Sequence, residues 1–134
     1  MRAVLDTNVL VSAALKQNST PAAAARAVER RHVLLKSAAT ERPLFDVLAR
    51  PYFIPLIGDE TRAWLRQLMS AAELVAIAER IAACRDPTDD KFLELAVNGH
   101  ADLIISGDDD LLSLNPFRGI PIIAPAAFVH GAER

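Results

Sequence analysis

Four short apolar segments, Arg2–Leu5, His32–Lys36, Glu73–Ile77 and Asp102–Ser106, are separated by stretches of helical periodicity. That alternation confines the chain to an α/β architecture, a parallel sheet covered by helices on both faces. A fifth segment, Ile120–Ala124, is interrupted by Pro121 and therefore predicts an edge strand. Among the helical stretches, Thr20-Pro21 reads as an N-cap followed by proline at the first helical position, opening an alanine-rich run to about Arg31. A second helix passes through Leu44, Val47 and Leu48 and stops before Pro51; Thr40 is its expected N-cap. A third follows Asp59, with Trp64, Leu65 and Leu68 on one stripe. A fourth starts near Pro87-Thr88 and ends at Gly99.

A chain of 134 residues suits one domain, residues 1–134, with a real core. Half of it, 51%, is hydrophobic but only 5% is aromatic, so that core must be aliphatic. No apolar run approaches the roughly 18 residues needed to span a bilayer, and the N-terminus lacks the pattern of a signal peptide. A single cysteine, Cys84, excludes an internal disulfide framework and fits a reducing compartment, so a cytoplasmic protein with no membrane partner is expected. The net charge of −2 hides an asymmetry: residues 1–58 hold eight Lys/Arg against four Asp/Glu, residues 85–134 four against nine. Folded together, such halves would set a carboxylate pocket inside a cationic rim, an arrangement suited to a polyanionic substrate. The bland alternative is ordinary solvated charge.

Asp6-Thr7-Asn8 directly follows the first apolar run and so falls at a strand's C-terminal tip, the edge where ligands collect in open α/β sheets. Capping of the next helix is the competing role. Further along, Asp86 to Asp110 holds eight of the seventeen acidic residues. Asp86-Pro87-Thr88-Asp89-Asp90 opens a helix, and Ser106-Gly107-Asp108-Asp109-Asp110 follows a strand. Helix starts favour one carboxylate, but three consecutive aspartates repel one another unless a cation offsets them. If the first and fourth strands are neighbours, Asp6, Asp90 and Asp108 meet in one crevice. Hard oxygen ligands of this kind suit Mg²⁺ or Mn²⁺. The chain has neither a thiolate–histidine set for zinc nor a glycine-rich phosphate loop.

These three blocks, Asp-Thr-Asn, Asp-Pro-Thr-Asp-Asp-Lys-Phe-Leu-Glu-Leu-Ala and Ala-Asp-Leu-Ile-Ile-Ser-Gly-Asp-Asp-Asp-Leu-Leu, resemble a PIN domain in order and spacing over nearly the whole chain. More narrowly, they resemble the toxin components of bacterial toxin–antitoxin systems. The resemblance implies a three-layer α/β/α fold with a parallel sheet of about five strands in the order 3-2-1-4-5. It implies a metal-dependent endoribonuclease acting on single-stranded RNA, with a cognate antitoxin and a homodimeric state. Asp6, Asp90 and Asp108 match the family's catalytic, metal-binding positions, Asp110 a further aspartate, and Asn8 and Ser106 polar residues that support the carboxylates.

One departure stands out. Relatives place a glutamate four residues before the Val-Leu of Val47-Leu48-Ala49-Arg50-Pro51, and here that position is Pro43. Glu41 lies two residues earlier, about 200° around a helix, and joins the metal set only if the start of the helix swings it inward. Asp46 is the other neighbour, with a shorter side chain. Arg42, Arg50 and Lys91 are candidates for the RNA backbone. The alternative functional reading is a PIN-like module that binds RNA or a partner with weak or lost catalysis. A haloacid-dehalogenase-type phosphatase also begins with a strand-tip aspartate, but it needs an acid two residues on, where this chain has Asn8.

Overall fold

The apolar runs pair side by side because their backbone groups have no other partner in an aliphatic interior. A computed structural model of the protein describes residues 1–132. Its elements follow in the order β1 (Arg2–Leu5), α1 (Thr7–Leu15), α2 (Thr20–Arg31), β2 (Val33–Lys36), α3 (Ala38–Leu48) and α4 (Asp59–Ala71). They continue with β3 (Glu73–Leu74), α5 (Asp90–Asn98), β4 (Leu103–Ile105), α6 (Asp109–Leu112), β5 (Ile122–Ile123) and α7 (Pro125–Ala132). All neighbouring strands are parallel, in the order β3-β2-β1-β4-β5, so β1 lies at the centre. Side chains alternate strictly across this sheet. Ala3, Leu5, Leu34, Leu103 and Ile105 face a core shared with α1 to α4 and Phe128 of α7. Val4, Leu35, Ile104 and Ile122 face a second core with Phe92, Leu93 and Leu95 of α5 and Leu111 of α6. The fold is the three-layer α/β/α sandwich that the strand and helix pattern predicts.

Three local differences from the sequence pattern have physical causes. Helix α3 begins before Thr40, because Ser37 is the N-cap: its hydroxyl accepts from the Thr40 N–H at 3.2 Å, and Thr40 Oγ1 accepts from the Ser37 N–H at 3.0 Å. That reciprocal capping box satisfies two orphan donors. It leaves Pro43 inside the helix, where it removes the bond an N–H would make to Ala39. Strand β3 stops at Leu74 rather than Ile77, because its partner β2 ends where Ser37 starts α3. The Val75 N–H still reaches the Lys36 carbonyl at 2.8 Å, but those of Ala78 and Glu79 turn to Asn98 Oδ1 at 3.0 and 2.9 Å. In α2 the cap is Ser19, one residue before the expected Thr20.

The aliphatic faces of α2 and α4 are largely spent inside the molecule. Ala22, Ala24, Ala25, Val28, Leu65, Leu68 and Met69 are all buried in the first core. Among the described residues no helix is long and apolar enough to cross a membrane.

Candidate metal centre

The central register builds the site. Leu5 pairs with Ile105, and the Asp6 N–H bonds the Ile105 carbonyl at 3.0 Å, so Asp6 and Ser106 leave neighbouring strand tips together. Between β1 and β4 the chain's direction of travel across the sheet reverses, the switch point at which α/β sheets open a crevice. Ser106, fully buried, donates its hydroxyl proton to Asp6 Oδ2 at 2.7 Å and accepts from the Asp108 N–H at 3.0 Å. One side chain thus fixes two acidic residues. Asp6 Oδ1 accepts from the Asn8 N–H at 3.1 Å and caps α1; Asp108 Oδ1 accepts from the Asp110 N–H at 3.1 Å and caps α6. Capping and membership of an acidic cluster therefore coexist in the same residues.

Asp6 is only 2% exposed, and burial raises its pKa above the ordinary carboxylate value. The bonds from Ser106 and the Asn8 N–H oppose that shift, the charge of Asp108 adds to it, and the charge of Lys91 counters it. Asp89 shows the strain of the cluster most clearly. Its carboxyl is pushed up to about 7, first by burial, then by its hydrogen bond with Asp108 and the charges of Asp108, Asp6 and Asp86. Carboxylate oxygens of Asp89, Asp108 and Asp110 lie within 4.8 Å of one another. A carboxyl whose pKa is raised by acidic neighbours at this range marks a place where a cation would substitute for its proton. An all-oxygen donor set without thiolate or imidazole fits Mg²⁺ or Mn²⁺.

Asp89 was not among the residues singled out by sequence, whereas Asp90 was. The structure separates this pair. Asp90 Oδ1 accepts from the backbone N–H groups of Ala83 and Cys84 at 3.0 and 2.7 Å. Burial, the largest influence, would raise its pKa, but those two bonds together with one from the Cys84 thiol outweigh it and hold the carboxyl below the usual range. The Cys84 thiol also bonds Asp90 and is itself pushed up to about 12, chiefly by burial. The reason for the separation is local. Asp86 caps a single 3₁₀ turn, Pro87–Asp89, accepting the Thr88 N–H at 3.0 Å and its hydroxyl at 2.8 Å, before the α-helix begins at Asp90. Such a turn advances about 120° per residue rather than about 100°, which changes which aspartate faces the strand tips.

Glu41 is drawn elsewhere as well. Its Oε2 lies 2.7 Å from Lys36 Nζ, an ion pair at the end of β2, and it is not in the group formed by Asp89, Asp108 and Asp110. Asp46, Arg42 and Arg50 are exposed. Lys91 donates to the Thr88 carbonyl at 2.9 Å. The Asn8 side chain is exposed.

Comparison with known proteins bears on the fold and the family. The chain is 29% identical over 117 residues to the uncharacterized protein MJ1680 of Methanocaldococcus jannaschii, covering 85% of this chain and 75% of that one. It superposes on a chain of the crystal structure of VapBC2 from Rickettsia felis bound to a DNA fragment from their promoter, with a TM-score of 0.62. That match covers 92% of this chain and 98% of the other at 13% identity, a likeness of fold. Residues 2–110, which include Asp6, Asp89, Asp108 and Asp110, match the PIN domain. Because that match spans most of its length, the chain belongs to the PIN-domain family.

Proposed function

We propose that the protein is a divalent-metal-dependent endoribonuclease that hydrolyses single-stranded RNA, the toxin of a toxin–antitoxin pair acting in the cytoplasm. The observation that carries the enzymatic part is the convergence of Asp89, Asp108 and Asp110, beside the buried Asp6, on the open edge of the sheet. The likeness to a chain of the VapBC2 structure supports the toxin assignment and an antitoxin partner. In this reading Asp89, Asp108 and Asp110 hold Mg²⁺ or Mn²⁺, and Asp6 borders them. The ion supplies activation of water and stabilisation of charge developing on the phosphate. Ser106 keeps Asp6 and the Asp108 backbone in register, while Lys91, whose charge is felt at Asp6, offers a cation to the incoming phosphate. Exposed Arg42 and Arg50 extend the cationic rim along the strand of RNA.

Purified protein should cleave single-stranded RNA when Mg²⁺ or Mn²⁺ is present and lose all cleavage in excess chelator. Metal binding should also follow the Asp89 carboxyl, since its pKa is raised in the fold to about 7. Below that value Asp89 keeps a proton the cation must displace, so affinity should fall by about tenfold per pH unit on acidification. The same shift fixes the sign for stability: the metal-free fold binds this proton more tightly than the unfolded chain. Its melting temperature should therefore decline as pH rises between about 4 and 7, and metal should abolish the decline. Cleavage that persists in chelator, or an affinity flat across that range, would remove the basis of this reading.

A binding module with weakened catalysis is the second reading, favoured by Pro43 and by the diversion of Glu41 to Lys36. Two variants weigh it. Glu41→Gln should leave metal affinity within about twofold, because its carboxylate already has a partner. Pro43→Glu should raise cleavage by restoring a carboxylate at the position where the family's glutamate falls. Replacing the proline loses about 1 kcal/mol or less through the unfolded chain, and the new N–H offsets that loss by restoring the bond to Ala39 inside α3. If Glu41→Gln weakens metal binding tenfold, the Lys36 pair must open and Glu41 belongs to the site after all.

A further inference from the structure

Next to Asp108 a crevice of about 300 Å³ opens where the first turns of α1, α2 and α7 approach one another; it is lined by Asn8, Ser12, Pro21, Gly107 and Pro125. Asn8 and Ser12 stand one turn apart on α1, both exposed. Among the described residues neither the Asn8 side-chain amide nor the Ser12 hydroxyl has a hydrogen-bond partner, whereas Asp6, Ser106 and Asp108 beside them are all bonded within the protein. The wall therefore presents polar groups that only a ligand or water can satisfy.

The lining chemistry narrows the ligand. No lysine or arginine borders the crevice, so it does not suit a phosphate, and Asp108 is its only acid, so it does not add a second cation site. Pro21 and Pro125 contribute flat apolar surface, the kind between which an unstacked base can lie. Asn8 offers a donor and an acceptor side by side and Ser12 a hydroxyl that does either, the complement of a base edge. The volume is at the small end of ligand pockets, roughly 300–1,000 Å³, room for one base and too little for a duplex. Sequence-specific recognition of single-stranded RNA uses such splayed-out bases.

We infer that this crevice is a base-binding subsite, in which Asn8 and Ser12 read the nucleobase adjacent to the scissile phosphate. The inference rests on the ribonuclease reading for its substrate, and it names the part of the site that would confer sequence preference. Ser12 is a specificity-determining residue on this account, since it lies one turn of α1 beyond Asn8 and outside the group of carboxylates.

The test is a titration of isotope-labelled, Mg²⁺-saturated protein with each of the four nucleoside 5′-monophosphates, followed by amide resonances. Shifts are expected at Asn8, Ser12 and Gly107, with the best and worst bases differing by about fivefold, the worth of one hydrogen bond. Ser12→Ala should flatten that difference. Ser12→Leu should fill the crevice and weaken the best nucleotide by about tenfold, while Mg²⁺ affinity measured by calorimetry stays at the wild-type value. Equal affinities for all four nucleotides, or wild-type nucleotide binding by Ser12→Leu, would overturn the inference. A parallel cleavage assay separates it from its premise. Nucleotides that seat in the crevice of a protein unable to cut RNA would defeat the ribonuclease reading alone. An identical cleavage pattern from wild type and Ser12→Leu would defeat the subsite alone.

Discussion

Asp108→Asn is expected to lower Mg²⁺ affinity by more than about 100-fold and to abolish RNA cleavage. Loss of a residue that merely supports a ligand typically costs 10–100-fold, and removal of a ligand charge should exceed that. Asp108 is the hub of the acidic group. It hydrogen-bonds Asp89, contributes to the raised pKa of Asp6 and belongs to the trio whose oxygens lie within 4.8 Å. Asparagine preserves what Asp108 does for the fold, because its Oδ1 can still accept the Asp110 N–H and asparagine caps helices as well as aspartate. It removes only the charge. The metal-free variant should accordingly be more stable than wild type, melting about 2–4 °C higher if relief of repulsion contributes about 1 kcal/mol. Calorimetric titration and thermal melts without metal check the pair of effects together. Unchanged affinity would exclude Asp108 from the site, and lost affinity with a lowered melting temperature would indicate collapse rather than a lost ligand. A gain in stability with a loss of function is the signature of residues held together against their own repulsion.

The parts of this molecule that could be read from sequence are those anchored by long-range order. Asp6 and Ser106 leave the tips of β1 and β4, and a parallel pair with Leu5 opposite Ile105 leaves those tips no freedom to diverge. The alternation of Val4 against Ala3 and Leu5 gives the two cores directly. What was not legible depends on a competition decided within one turn of chain. Ser37 and Thr40 are both good caps, and Ser37 wins because Thr40 can return a bond to its backbone while the reverse arrangement would leave those donors unpaired. That choice starts α3 early and ends β2 at Lys36, which leaves β3 no partner beyond Leu74, so one capping serine accounts for two boundary differences. Asp89 and Asp90 pose the same kind of problem. Both are acids at a helix start, and nothing in composition or spacing says that a 3₁₀ turn will precede the α-helix. The distinction comes from the loop at Ala83 and Cys84, whose N–H groups need an acceptor and take Asp90.

Asp89→Asn and Asp90→Asn should therefore differ sharply, although the residues are adjacent and chemically identical. Asp89 lies with Asp108 and Asp110, and its carboxyl is raised to about 7 by burial and by its acidic neighbours. Losing its charge removes a ligand, and affinity for Mg²⁺ should fall by more than about 100-fold, beyond the usual cost of a supporting residue. Asp90 is instead engaged by its loop. Asparagine at this position keeps an oxygen for the Ala83 and Cys84 N–H groups, so metal affinity should stay within about threefold, the neutral acceptor weakening each bond only modestly. Asp90→Ala is the informative companion. It strands two backbone donors and should cost about 1–3 kcal/mol of stability, lowering the melting temperature while the carboxylates of Asp89, Asp108 and Asp110 still bind metal. The comparison is decisive in either direction. If Asp90→Asn loses metal as completely as Asp89→Asn, the Asp90 carboxylate must turn from its loop to the ion, and the set drawn from sequence, Asp6, Asp90 and Asp108, is the one that holds it. If Asp90→Asn binds metal normally, Asp90 is the clamp that fixes the loop and Asp89 is the ligand.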